Sequence, residues 1–204
     1  GHLPDAVFNK PGIFMRGKDK VRRDIVVCYG DSLTGATVYP QEVMGALGLK
    51  KVEAYGYAGM QTSFGRNHAA ENLGKDKPFS ALILYGTNNS KSPEAVAMGM
   101  KDMEALAATA AELGILPILG TIPPRGFTDP ESKPEAGYNA ALIETCKRLK
   151  IPCAHLFEEY QRHKDRHDLI AGDGVHNTQA GMATSARAWK RVYDQVQFIL
   201  RDRP

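Results

Sequence analysis

The stretch Ile25-Val26-Val27-Cys28-Tyr29-Gly30-Asp31-Ser32-Leu33-Thr34 decides the fold. Its first half is an apolar run with the length and β-branched character of a strand. The run reads as a buried strand. It stops at Gly30 and two small polar residues, Asp31 and Ser32. Open α/β sheets place their chemistry outside the carboxyl ends of the strands, where Ser32 falls. Ser32 is therefore either a nucleophile or a turn and cap residue, since Asp and Ser are both favoured in turns.

Working outward, strand-like and helical patterns alternate. A helix is expected over 39–49, with Pro40 in its first turn and Gly48 near its end. Short strands are expected over 51–55 and 81–85, the second central because it is apolar throughout. Ser92-Pro93-Glu94 has the chemistry of a helix start: a cap, a residue needing no donor and an acid at the positive end of the dipole. That helix runs to Leu113 and stops at Gly114. A strand over 115–122, a Pro/Gly-rich loop over 123–137, a helix over 138–150, a short strand near 153–156 and a closing helix over 178–200 complete the order. The alternation predicts an α/β fold with a parallel sheet and helices on both faces. It forms one domain over 24–204 behind a lead-in over 1–23. Right-handed crossovers bring Ser32 and the loops at 56–63, 86–90 and 123–137 to one sheet edge.

With 24% charged residues and a net charge of +3, neither disorder nor a polyanionic partner is indicated, so nucleic acid is not an expected partner. The densest basic cluster, 18–23, reads as a solvated approach to the first strand. No apolar run reaches the ~20 residues of a membrane span. The chain opens on Gly1-His2 without Met, as a trimmed start would, so both a cytoplasmic and a secreted or periplasmic protein with a removed signal peptide fit. Cys28, Cys146 and Cys153 are odd in number and form no CxxC, which predicts buried free thiols in place of a disulfide framework or zinc site.

A serine nucleophile needs a base. Of His2, His68, His155, His163, His167 and His176, the last has Asp173 three residues before it on a turn with Gly174. That spacing lets the carboxylate hold Nδ1–H and leaves Nε2 free for a serine. The plainer reading is a surface turn before a helix capped by Asn177 or Thr178. His155 reads as a packed core residue. His163 and His167 lie four apart on a charged face without further metal ligands. Asn88, after the central strand, offers either an amide donor for an oxyanion or an Asx-turn. Gly59 offers either a backbone N–H or an ordinary loop glycine. The elbow Gly-x-Ser-x-Gly is absent, because Thr34 stands where its second glycine belongs.

Taken in order, Gly30-Asp31-Ser32-Leu33-Thr34, Gly59, Gly86-Thr87-Asn88 and Asp173-Gly174-Val175-His176 resemble the blocks of the SGNH hydrolases, also called GDSL esterases and lipases. The resemblance runs from the first strand to the last helix. It implies a flavodoxin-like three-layer α/β/α sandwich with a mostly parallel sheet. It also implies Ser32 as nucleophile, His176 as base, Asp173 as its orienting acid, and Ser32 N–H, Gly59 N–H and the Asn88 side chain as the oxyanion hole. No cofactor or metal is implied. Asp31, Leu33, Tyr57, Met60, Asn89, Arg125 and Val175 flank these groups and are candidate substrate contacts; Gln61 could line the pocket beside them. Two positions depart from the family: Asn89 stands where Asp is frequent, and Ala54 where the second block often has Asn. The expected reaction is hydrolysis of short acyl esters, with a carbohydrate O-acetyl ester among the substrates. The rival readings are a lysophospholipase- or thioesterase-type lipid enzyme and a non-catalytic binding module.

Overall fold

The computed structural model describes residues 22–35, 38–49 and 51–201. The strands are β1 (Arg22–Gly30), β2 (Lys51–Gly56), β3 (Pro78–Leu84), β4 (Leu116–Gly120) and β5 (Cys153–Ala154). The helices are α1 (Ser32–Gly35), α2 (Val38–Leu47), α3 (Thr62–Asn67), α4 (Ala69–Gly74), α5 (Pro93–Glu112), α6 (Asp129–Leu149), α7 (Leu156–Gln161) and α8 (Gln179–Arg201), with a 3₁₀ turn at Arg166–Asp168. The strands form one parallel sheet in the order β2-β1-β3-β4-β5, so β3 is central. From β1 the chain adds β2 on one side, then returns to add β3 on the other. The cleft between the loops after β1 and β3 is thus the topological switch point at which such sheets bind ligands.

The two-faced apolar strands explain the layers. Along β1, Val26 and Cys28 join a core cluster with Leu33, Val43 of α2 and Trp189 and Val192 of α8, while Val27 and Tyr29 join a second cluster with Leu73 of α4, Met103 and Leu106 of α5 and Leu142 of α6. Successive strand residues point to opposite faces, so one run feeds both cores. The α/β/α sandwich is as expected.

Four local expectations need correction. β1 starts at Arg22, so the last part of the lead-in is already strand backbone; residues 1–21 lie outside the described residues. The loop expected over 123–137 is mostly helix, because α6 starts at Asp129. Thr128 and Glu131 form a capping box and Pro130 sits in the first turn, where its missing N–H costs nothing. Pro134, inside α6, gives up one ladder bond near the helix start. The last strand ends at Ala154, and α7 follows at once. His155 is the N-cap residue of α7, partly exposed and beside Glu158 at 3.6 Å, so it is not a core histidine. Ser92 caps α5 through Ala95 N–H, and Thr178 accepts from Gly181 N–H at the start of α8, as their sequence chemistry suggested. Among the described residues no helix is long and apolar enough to cross a membrane.

Candidate active site

At the end of β1, Asp31 acts as the cap. Its Oδ1 accepts from Leu33 N–H at 2.9 Å, and its carbonyl accepts from Thr34 and Gly35. This winds α1 and leaves the Ser32 side chain partly exposed at the helix start. Gly30 is required here. A Cβ on it would stand 2.3 Å from Leu84 O and 2.4 Å from Thr34 Oγ1, so strand β3 leaves no room for a side chain.

From the far side comes the segment before α8. Ile170 and Asn177 form an antiparallel bridge, Ala171 N–H donates to His176 O and Thr178 N–H donates to Leu169 O. Within this closed loop Asp173 Oδ1 accepts from Val175 N–H and His176 N–H, each at 2.9 Å. Its Oδ2 lies 2.5 Å from His176 Nδ1, and His176 Nε2 lies 3.1 Å from Ser32 Oγ. Residues 144 apart in sequence thus form a continuous Asp–His–Ser chain of hydrogen bonds. A neutral imidazole that donates from Nδ1 to the carboxylate presents an acceptor Nε2 to the serine hydroxyl. The bond from His176, with the Val175 and His176 N–H groups, holds the Asp173 carboxyl well below its usual range, at about 2. The pair is half exposed, so the chain opens to solvent.

The loops after β2 and β3 flank it. Gly30 pairs laterally with Gly56 and Leu84, and Tyr57 N–H donates to Gly30 O at 2.9 Å. Gly59 is exposed at φ +75°, the left-handed region glycine adopts without strain. After β3, Asn89 N–H closes a turn on Gly86 O. Gly86 has φ +131°, and a Cβ there would meet the Tyr138 ring at 2.3 Å. Asn88 stands in this turn. Its Nδ2 donates to Met60 O at 3.0 Å, and its carbonyl accepts from Gln61 Nε2 at 3.2 Å. A side-chain amide carries two N–H donors, and Met60 takes one.

Several candidate substrate contacts are bonded or buried within the fold. Asp31 and Leu33 are buried. Burial pushes the Asp31 carboxyl up to about 7, against the opposing pull of the Leu33 N–H bond and of the neighbouring His176 and Lys91 side chains. Asn89 spends both ends of its amide on Thr62. Tyr57 packs edge-on to Tyr29 and gives its hydroxyl to Asn72. Arg125 is half buried, with a weak bond at 3.4 Å to Thr87 O. Met60 and Val175 retain exposure beside the chain of hydrogen bonds. The remaining histidines lie elsewhere. His68 neighbours Glu71, His163 pairs with Asp168, and His167 pairs with Asp165 while stacking on Phe127. His2 lies outside the described residues. Cys28 and Cys146 are buried free thiols, and Cys153 is only partly buried. Among the described residues no group of three or more His, Cys, Asp or Glu side chains could hold a metal ion.

Sequence reasoning missed three supports. Lys91 Nζ donates to Gly86 O at 2.6 Å and to Asn89 O at 2.7 Å, closing the Asn88 turn from below. Gly126 N–H donates to Gly174 O at 2.7 Å and so tethers the Asp173–His176 loop to the loop after β4. Thr62 reaches Asp102 on α5. A lysine, a glycine and a threonine carry no motif of their own, so only their contacts reveal them.

The model of the GDSL-like Lipase/Acylhydrolase family matches residues 27–184, a span that holds Ser32, Gly59, Asn88, Asp173 and His176. No curated protein sequence matches. Among solved structures, a lipase/acylhydrolase from Enterococcus faecalis is similar at 21% identity and a TM-score of 0.71, covering 86% of this chain and 97% of its own. An acetyl xylan esterase, AlAXEase, is similar at 16% identity and a TM-score of 0.70, covering 82% of this chain and 99% of its own. An acetylxylan esterase from Geobacillus stearothermophilus is similar at 19% identity and a TM-score of 0.68, covering 82% of this chain and 92% of its own. At these identities the likeness is one of fold.

Proposed function

The chain belongs to the GDSL-like lipase/acylhydrolase family, and on that premise we propose that it is a serine esterase that cleaves short acyl esters, with O-acetyl groups on a carbohydrate as the favoured substrate class. The observation that carries this reading is the continuous chain Asp173 Oδ2–His176–Ser32 Oγ, at 2.5 and 3.1 Å.

The reaction runs in two displacements. Ser32 Oγ attacks the ester carbonyl as its proton passes to His176 Nε2. Asp173 keeps the ring oriented and stabilises the imidazolium that forms. The tetrahedral oxyanion is met by Ser32 N–H, Gly59 N–H and the free Asn88 amide hydrogen. His176 then protonates the leaving alcohol, leaving an acyl-Ser32. Water attacks this ester, gives its proton to His176, and the collapsing intermediate returns the proton to Ser32 with release of the carboxylic acid. No cofactor enters the scheme.

Support for short acyl groups comes from the openness of the site. The Asp173–His176 pair is half exposed, and Gly59, Met60 and Gln61 lie at the surface. An open ledge of this kind accommodates a bulky hydrophilic alcohol portion. The acetylxylan esterases of like fold lend the carbohydrate reading further support. A panel of p-nitrophenyl esters from acetyl to dodecanoyl, with acetylated xylooligosaccharide alongside, tests it. The expected result is a maximum at acetyl or propionyl with acetate released from the sugar. A maximum at octanoyl or longer would sink the short-acyl reading and favour a lipid acyl hydrolase.

A further inference from the structure

The departure at Asn89 has a counterpart elsewhere in the fold. Thr62 stands at the start of α3, fully buried, and its N–H donates to Asn89 Oδ1 at 3.1 Å. Its hydroxyl accepts from Asn89 Nδ2 at 2.8 Å and donates to Asp102 Oδ2 at 2.8 Å. Asp102 lies on α5 with its side chain only 13% exposed, and Arg66 Nη1 stands 3.5 Å from its other oxygen. An ionised carboxylate can only accept, so the single hydroxyl proton of Thr62 must point at Asp102. The lone pairs of Thr62 then face Asn89, where a donor is needed. An amide supplies that donor and a carboxylate does not.

We infer that Asp102 is the positioning acid of the oxyanion loop, acting through Thr62 to fix Asn89 and thereby Asn88, and that Asn89 and Asp102 form a matched pair. This rests on the reading of Asn88 as an oxyanion donor. The clamp ties together the two loops that flank Ser32: Asn89 adjoins Asn88, and Thr62 follows Met60 and Gln61, which bond Asn88 directly. An Asp at position 89 would leave two carboxylates competing for one hydroxyl proton, with like charges on either side of it. Placing Asn at 102 at the same time reverses the chain. Thr62 would donate to the new carboxylate, and the amide at 102 would donate to Thr62. Every group is satisfied again.

The test is a charge swap read as kcat and KM on p-nitrophenyl acetate, with the rate of Ser32 labelling by a fluorophosphonate as a second readout. Asn89→Asp is expected to lower kcat about 10-fold with KM little changed, the loss expected for one unsatisfied buried polar group. Asn89→Asp/Asp102→Asn is expected to return kcat to within about 3-fold of the starting enzyme. Thr62→Val, which keeps shape and backbone N–H but deletes the hydroxyl, is expected to lower kcat about 10-fold, and Thr62→Ser to restore it. The Thr62 pair decides the matter if Asn89→Asp does not fold. A Thr62→Val enzyme with unchanged kcat, or a double variant no better than Asn89→Asp, would overturn the clamp. Asn88→Ala run beside them separates the two claims. If it keeps kcat, the oxyanion reading has failed. If it loses kcat while the clamp variants do not, only the clamp has failed.

Discussion

Ser32 stands at the end of a strand that is buried from Ile25 to Gly30, whereas Asp173 and His176 stand half exposed on a loop. The serine half is set by the sheet. Gly30 touches the β3 backbone, Asp31 is buried as a cap, and the Asn88 turn is closed by Lys91 beneath it. The acid–base half is set by loop-to-loop hydrogen bonds, from Gly126 to Gly174 and between the strands of the Ile170–Asn177 bridge. A site built this way ties its nucleophile to the stability of the whole fold and its base to a local tether. The same residue type shows the contrast. Burial raises the Asp31 carboxyl to about 7, whereas hydrogen bonds lower that of Asp173 to about 2.

Substitutions that strike one half alone can break or sharpen this division. The largest effect is expected from Gly30→Ala, whose Cβ would overlap the Leu84 carbonyl at 2.3 Å. Forcing that overlap should cost about 3 kcal/mol of stability and lower Tm by several degrees. Chemical denaturation measures it, and an unchanged midpoint would show that the strand end is looser than described.

An intermediate effect is expected from pH acting on Asp31. Its ordinary value is 3.8 and its value in the fold about 7, so between these the folded state binds more protons than the unfolded state. The contribution of Asp31 to stability therefore falls as pH rises from about 4 to about 7, with ~1.4 kcal/mol per pH unit as the ceiling. Asp31→Asn cannot ionise and escapes this loss, so its stability relative to the parent should improve across that window. Asp173 works in the opposite sense. Its lowered value gives a contribution present above the ordinary carboxylate range and lost as pH falls toward about 2. Parallel pH profiles for the parent and Asp31→Asn would contradict the assignment to Asp31.

The smallest stability effect is expected from Gly126→Ala. The residue has φ +75°, and a Cβ would meet the Glu131 side chain at 2.7 Å. A cost of about 1 kcal/mol follows from the left-handed backbone. Activity should fall by more than stability does, because Gly126 N–H holds Gly174 between Asp173 and His176. A loss of activity no greater than the loss of folded protein would remove the tether from the account.

These supports differ in how far they can be read from sequence. The sheet, its layers and the order of elements follow from apolar runs such as Ile25–Tyr29 and from caps such as Ser92, because strands and caps are local patterns. The Asp173–His176 spacing is likewise local. The start of α6 is hidden because Pro and Gly content suggests a loop, yet Thr128 and Glu131 cap a helix within that very stretch. Asp31 and Leu33 adjoin Ser32 in sequence but face the core, and adjacency alone does not tell which way a side chain points. Asn89 meets Thr62, 27 residues away, and Thr62 meets Asp102, 40 residues further on. Contacts of that range are made by tertiary packing and leave no periodic trace.

The central claim is that Ser32 is a nucleophile activated by His176 and Asp173. Treatment of the protein with a fluorophosphonate, followed by peptide mass spectrometry, tests it most directly. The account predicts a single adduct on Ser32, absent in Ser32→Ala and slowed by orders of magnitude in His176→Ala. An unlabelled Ser32 in folded protein, or labelling that His176→Ala leaves at full rate, would contradict it.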